Sequence, residues 1–343
     1  MIRAGIVGFG WWGRTILETL AASRRIQVTA VTDVAAEAKP QCVERGLRWH
    51  DTLAAMIADP QLDAVILTSP HRFHEEQIVA AARAGKHVFC EKPLALELDA
   101  AGRAVAACIQ NRVRLGVGHE RRFEPPMQMV GSLLEGGELG RLVHIEANFS
   151  HDKLCALPDG NWRLSRAESG CGPMTATGIH LLDMSIRLGG PAVEAYASNR
   201  SLTTKFESGD TMAAHVTLEG GVVASINAML AVPFYARFTL FGSKGWIEVN
   251  DRSHVEAPSG WTVRRCSATG TQTQMELPPA QPVLKNFESF CDAIEGSQSD
   301  YAIPLQQMLD TVAGVEAVFC STLQGLPVRV RRIVVGSLAA PLS

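Results

Sequence analysis

The chain has 343 residues, of which 46% are hydrophobic and 20% charged, enough apolar material for two domains or one large one and far from the charge-rich composition of disordered chains. Thirty-two Lys plus Arg against 35 Asp plus Glu leave a net charge of −3, without the positive field on which nucleic-acid or anionic-membrane binding draws. No apolar run approaches the roughly 18 residues of a membrane span, so neither nucleic acid nor membrane is expected as a partner.

Met1-Ile2-Arg3 leads straight into an apolar strand, with no charged segment, apolar stretch and cleavage site before it. The eight cysteines are scattered without C-x-x-C or Cys/His spacing, so the expectation is reduced thiols, a cytoplasmic location and no metal site. Residues 1–120 alternate short β-branched runs with longer helical patterns, the sequence form of successive βαβ units around a doubly wound parallel sheet. Strands are predicted over 3–7, 28–32, 64–68, 87–90 and 114–117, with helices over 14–22, 35–45, 52–57, 74–84 and 97–111. From residue 121 to 343 strand-like runs follow one another, at 142–149, 193–198, 212–218, 222–230, 238–242 and 245–249, before late helices at 284–295 and 305–323. Glu219-Gly220-Gly221 and Gly242-Ser243-Lys244-Gly245 supply hairpin turns. The second part therefore reads as an α+β domain on an open, largely antiparallel sheet. Its run from Val222 to Leu230 has apolar residues on both alternating faces, the pattern of a sheet buried on both sides; a homodimer or homotetramer packed through that sheet is the expectation.

Gly8-Phe9-Gly10-Trp11-Trp12-Gly13 is a G-x-G-x-x-G placed between the first strand and the first helix. That placement suits a pyrophosphate: the first glycine makes the tight turn, the second admits close backbone approach, the third lets helix and strand pack, and the helix N-terminus faces the anion. Asp33 ends the second strand 20 residues after Gly13, where a carboxylate accepts hydrogen bonds from the adenosine ribose hydroxyls. A carboxylate repels a 2′-phosphate, and Val34-Ala35-Ala36 offers no arginine to receive one, so NAD is favoured over NADP. Trp11 and Trp12 are expected to pack about the cofactor.

Glu91-Lys92-Pro93 follows the strand at 87–90, which puts Lys92 beyond a strand C-terminus, where open α/β sheets bind ligands. With Ser69-Pro70-His71-Arg72-Phe73-His74 after the third strand, Arg121-Arg122-Phe123-Glu124-Pro125 at the domain crossover and Gly178-Ile179-His180-Leu181-Leu182-Asp183 beyond it, the sequence resembles the Gfo/Idh/MocA oxidoreductases over nearly its whole length. The resemblance implies a Rossmann domain followed by a substrate and oligomerisation domain, and a nicotinamide dinucleotide enzyme. It also implies cofactor contacts from Ser69, His71, His74, Glu91 and Lys92, a Lys92 hydrogen-bonded to the reacting substrate oxygen, and a cis Lys92–Pro93 peptide. A lysine suits proton transfer because burial beside a cationic nicotinamide disfavours its charged form. For His74 the alternative is a structural role at the helix start.

Many relatives carry D-x-x-x-H on the second-domain helix, acid and imidazole on one face. Here His180 is present but Ala176 stands where the acid would be. Lys92 and His180 are then the catalytic pair, and either Asp183 or water takes the place of the missing carboxylate, unless Asp183 is structural. Arg122, Trp162, Arg163 and Thr177 are candidate substrate contacts; Arg122 has an equal alternative as an anchor of the crossover, and Trp162 as packing. The substrate implied is a sugar, cyclitol, polyol or cyclic cis-diol. The rival readings are a lyase or glycosidase-like reaction with transient oxidation, and a non-catalytic sugar- or dinucleotide-sensing protein.

Overall fold

The computed structural model describes residues 1–296 and 300–338. Its first half runs β1 (Ile2–Val7), α1 (Trp11–Leu20), β2 (Ile26–Thr32), α2 (Ala38–Glu44), β3 (Arg48–Trp49), α3 (Leu53–Ile57), β4 (Ala64–Leu67), α4 (His74–Arg83), β5 (His87–Cys90), α5 (Leu98–Gln110) and β6 (Leu115–Val117). The six strands form one parallel sheet in the order β3-β2-β1-β4-β5-β6, the Rossmann order, which reverses between β1 and β4. Ala64, Val65, Ile66 and Leu67 of β4 are all buried, as a strand covered on both faces requires.

The remaining elements are α6 (Pro125–Glu135), β7 (Leu142–Ser150), α7 (Arg166–Ser169), α8 (Ile179–Gly189), β8 (Ala192–Arg200), β9 (Thr211–Leu218), β10 (Val223–Met229), β11 (Tyr235–Gly242), β12 (Gly245–Asp251), β13 (Trp261–Ser267), β14 (Gln272–Leu277), α9 (Pro282–Glu295), α10 (Leu305–Gln324), β15 (Val328–Arg329) and α11 (Val335–Leu338). A nine-stranded sheet has the order β14-β13-β12-β11-β7-β10-β9-β8-β15. Only β7 and β10 pair in parallel; every other neighbour is antiparallel. One face of this sheet, with Ile145, Ala147 and Phe149 of β7 and Ala224, Ile226 and Ala228 of β10, shares a core with Ile179, Leu182 and Ile186 of α8. The other face of β10 carries half-buried Ser225 and exposed Asn227, so within one chain the strand alternates rather than being buried on both sides.

The chain forms two compact units. One comprises Met1–Glu120, Val283–Leu309 and the chain from Ile333 on; the other comprises Arg121–Pro282 and Asp310–Arg332. Sequence reading assigns everything from 121 to 343 to the second domain, whereas α9 and residues 300–309 lie with the Rossmann sheet. The reason is aromatic packing: Phe287 stacks on Phe89 of β5 with centroids 3.9 Å apart, and Phe290 meets the same ring edge-on at 5.6 Å. Asn286 Nδ2 and the Tyr301 hydroxyl each donate to Val117 O at 2.9 Å, beside the His119 backbone N–H at 2.8 Å, which ties α9 and Tyr301 to the edge strand β6.

Candidate active site

The carboxyl ends of β1, β2, β4 and β5 carry one set of candidate residues. Gly8 has φ +92, and a Cβ there would lie 3.0 Å from Ser69 N. At Gly13 a Cβ would come within 2.3 Å of Gly8 O, whereas at Gly10 it would meet nothing within 4 Å. The loop is thus closed toward the sheet and open at Gly10. No side chain caps the N-terminus of α1, which leaves its first N–H groups in the arrangement that binds anions. Asp33 accepts hydrogen bonds from Phe9 N and, at 2.8 Å, from Ala35 N, which fixes its carboxylate beside the glycine loop. This donor set fits a dinucleotide, with the loop and helix start for the pyrophosphate and Asp33 for a ribose. Trp11 is exposed and Trp12 half-buried, their rings 5.4 Å apart. Sequence reasoning missed Thr68, whose hydroxyl donates within reach of both Gly8 O, at 2.5 Å, and Val7 O, at 3.1 Å; the signal was a hydroxyl directly after β4.

Glu91 is buried beyond β5, and burial pushes its carboxyl up. Its carboxylate lies flat on Gly118, where a Cβ would approach within 2.5 Å, and one oxygen accepts the Lys92 backbone N–H at 3.3 Å. Lys92 is half-buried, and the Lys92–Pro93 peptide is cis. His74, fully buried at the start of α4, has Nδ1 2.8 Å from Pro93 O and Nε2 3.0 Å from Ser69 O. Both ring nitrogens therefore face backbone carbonyls. Ser69 Oγ donates to Gln77 Oε1 at 2.5 Å, and the half-buried His71 ring meets His74 edge-on at 5.8 Å.

In the second unit a π-helical turn, Met174–Gly178, feeds α8. Such turns widen a helix locally and recur at functional sites. Thr177 is buried with its hydroxyl on Pro173 O at 3.3 Å, and Ala176 is half-buried. His180 is buried, its ring 6.0 Å from Phe149. Phe149 also meets His151 at 6.1 Å, His254 at 5.9 Å and Phe234 at 6.3 Å. His151 and His254 were not legible as site candidates, because an isolated histidine at a strand end carries no spacing signal. Trp162 and Arg163 are half-buried, with the guanidinium 4.3 Å over the indole, and burial pushes the Arg163 pKa down. Ser208 ties this pair to the helix-start segment, because its hydroxyl donates to Arg163 O at 3.1 Å while its carbonyl accepts Gly172 N at 2.7 Å. Arg122 is engaged differently: its Nε and Nη2 donate to the two Asp183 oxygens at 2.7 and 2.6 Å. Thr311 adds a hydroxyl to Asp183 at 3.1 Å.

Residues 2–119 match the oxidoreductase family with an NAD-binding Rossmann fold, and residues 127–248 match the GFO/IDH/MocA C-terminal domain. The myo-inositol 2-dehydrogenase of Thermotoga maritima is 30% identical over 255 residues, 72% of this chain and 74% of its own. The 1,5-anhydro-D-fructose reductase of Ensifer adhaerens is 29% identical over 301 residues, 86% of this chain and 89% of its own. Levoglucosan dehydrogenase, solved in complex with NADH and L-sorbose, shares the fold with a TM-score of 0.84 at 20% identity, covering 97% of this chain and 99% of its own. Fold, glycine loop and family match together define an oxidoreductase with an NAD-binding domain. The chain belongs to the Gfo/Idh/MocA family.

Proposed function

We propose that this protein is an NAD-dependent dehydrogenase acting on a secondary alcohol carbon of a sugar, cyclitol, polyol or cyclic cis-diol. The observation that carries the reading is the placement of Lys92 one residue beyond buried Glu91 at the end of β5, on the sheet edge that also carries the open glycine loop. The substrate class is supported by the relatives, which include an inositol dehydrogenase and an anhydrofructose reductase.

A nicotinamide dinucleotide held by the Gly8–Gly13 loop and Asp33 would supply the hydride acceptor or donor for the alcohol carbon. Lys92 holds the alcohol oxygen and moves its proton, and His180 orients the same hydroxyl or shares the proton path. Holding the reacting group in one geometry converts an encounter into a unimolecular step, which is worth several kcal/mol of barrier. NAD is the cofactor in this reading because Asp33 brings negative charge to the ribose and the following residue, Val34, is a fully exposed apolar side chain. Substrate contacts from Trp162, Arg163 and Thr177, assembly as a homodimer or homotetramer through the large sheet, and a cytoplasmic location complete the proposal. Among the described residues no helix is long and apolar enough to cross a membrane.

Ala176 in place of an acid is the feature that favours the sensing alternative. A panel of myo-inositol, D-glucose, levoglucosan, 1,5-anhydro-D-glucitol and an arene cis-dihydrodiol, each with NAD and with NADP, separates the two. Growth of reduced-nicotinamide absorbance with NAD on at least one compound is expected. Tight NAD binding with no net reduction and no altered product would move the sensing reading ahead; product without net NADH would move the transient-oxidation reading ahead.

A further inference from the structure

The His74 side chain meets the backbone of both the segment after β4 and the segment after β5. Its Nδ1 lies 2.8 Å from Pro93 O, and its Nε2 lies 3.0 Å from Ser69 O. Pro93 directly follows Lys92. Ser69 abuts the glycine loop, with its backbone nitrogen 3.0 Å from where a Cβ on Gly8 would stand. The ring is completely buried, so water does not compete for either contact.

Burial pushes the His74 pKa down against the pull of the two carbonyls. At neutral pH the ring is then neutral and carries one N–H, for which the two carbonyls compete. The shorter contact is the one to Pro93. We infer that His74 is a positioning residue whose Nδ1–H donates to Pro93 O and so fixes the backbone from which the Lys92 side chain departs. This rests on the proposed role of Lys92 and adds to it a residue that touches neither cofactor nor substrate with its ring nitrogens.

The two ring nitrogens have separate amide mimics. An asparagine amide nitrogen falls near Nδ1, and a glutamine amide nitrogen falls near Nε2. On the polyol turned over in the panel above, His74→Asn is expected to keep kcat within about threefold of wild type. His74→Gln and His74→Phe are expected to lose about 10- to 100-fold, the scale of a displacement of roughly 1 Å at a reacting group. NAD affinity, measured by quenching of tryptophan fluorescence, should stay within a few-fold in the Asn and Gln variants. Equal kcat in those two variants, or wild-type kcat in the Phe variant, overturns the inference.

A measurement on the unmutated protein needs neither substrate nor a stable variant. In a long-range proton–nitrogen spectrum of protein labelled with ¹⁵N-histidine, the His74 ring should show protonated Nδ1 and unprotonated Nε2. The opposite tautomer overturns the inference even where the variants fail to fold. Lys92→Met separates the two levels. If it turns over like wild type, the role of Lys92 is wrong; if it is inactive while the Asn and Gln variants match, only the positioning by His74 is wrong.

Discussion

Arg122 and Asp183 form a two-point ion pair inside the second unit, with Nε and Nη2 at 2.7 and 2.6 Å from the two carboxylate oxygens and side chains only 4% and 1% exposed. Removing one member of such a pair leaves the other charge buried without compensation, which costs about 3–5 kcal/mol. Asp183→Asn and Arg122→Met are therefore expected to lower unfolding free energy by about that amount in urea titrations. NAD affinity should stay near wild type. A stable Asp183→Asn with a reshaped pH dependence of kcat would instead make Asp183 the stand-in for the acid absent at Ala176.

A second buried carboxylate links pH to stability. Asp210 accepts backbone N–H groups from Leu202, Thr203 and Thr204 at 3.0, 2.9 and 2.8 Å, and the Thr211 hydroxyl at 2.8 Å. Burial alone raises its pKa, but the hydrogen bonds outweigh burial and hold the carboxyl well below the usual range. The folded pKa lies below the unfolded value of about 3.9. The stabilisation is thus complete above about pH 4 and drains away as pH falls toward the folded pKa. Asp210→Asn should lose about 1–3 kcal/mol at pH 7. It should also flatten the stability profile below about pH 4, since the unfolded-state proton uptake by this group is gone. Equal acid slopes in mutant and wild type would refute the assignment.

The first sheet was largely legible in the sequence because its signals are local. Gly8, Gly10 and Gly13 announce the turn after β1, and the apolar runs of β1, β4 and β5 have the length and continuity of doubly covered strands. Two longer strands of the second sheet, β13 and β14, were not seen. Gln272–Leu277 is exposed along nearly its whole length, so it carries no apolar alternation, and only pairing with β13 makes it a strand. The two-residue β3 and β15 give no periodicity to detect. The return of α9 to the first unit depends on Phe287 and Phe290 meeting Phe89, a contact nearly 200 residues apart in sequence that no local pattern encodes. Among site residues, Arg122 was ambiguous for the same reason, since its partner Asp183 lies 61 positions away.

The thiols should divide by burial. Burial pushes Cys108, Cys171 and Cys291 up to about 12, and Cys90 well above its ordinary value. Thiolate is the reacting form, so these groups should be inert in the folded protein. Cys155 is exposed. With a chromogenic disulfide reagent at pH 8, Cys155 should modify within minutes, and the five buried thiols, Cys42 among them, only at the rate of unfolding. Mass mapping that finds Cys108 or Cys171 modified as fast as Cys155 would contradict the packing around them.

Cofactor choice is expected to turn on Asp33 and Val34. Replacing the carboxylate removes repulsion toward a 2′-phosphate, and an arginine at the exposed neighbouring position adds a partner for it. Asp33→Ala with Val34→Arg should raise kcat/KM for NADP relative to NAD by about tenfold or more, roughly 1.4 kcal/mol of discrimination. The carboxylate also holds Phe9 N and Ala35 N, so the double variant should weaken NAD binding as the loop loses its tether. A wild type that already prefers NADP would show that Asp33 does not read the ribose.

The proton chemistry gives the sharpest test. The glycine loop and Asp33 have the groups to hold phosphates and ribose without help from Lys92, so Lys92→Met should leave NAD affinity within a few-fold of wild type. A group that only moves a proton in the transition state is worth about 10² to 10⁴ in rate, and kcat should fall by at least that much. His180→Ala tests how far the second unit shares the task. If His180 orients the hydroxyl, kcat should drop about tenfold with KM raised and the pH profile unchanged in shape. If it carries the proton in place of the acid absent at Ala176, the loss should approach that of Lys92→Met and the pH profile should lose one limb. In the second case the double variant should be scarcely worse than either single one, because residues that act as a unit are not additive. A Lys92→Met enzyme that keeps most of the wild-type kcat on its substrate would end the assignment of Lys92 as the proton-transfer group.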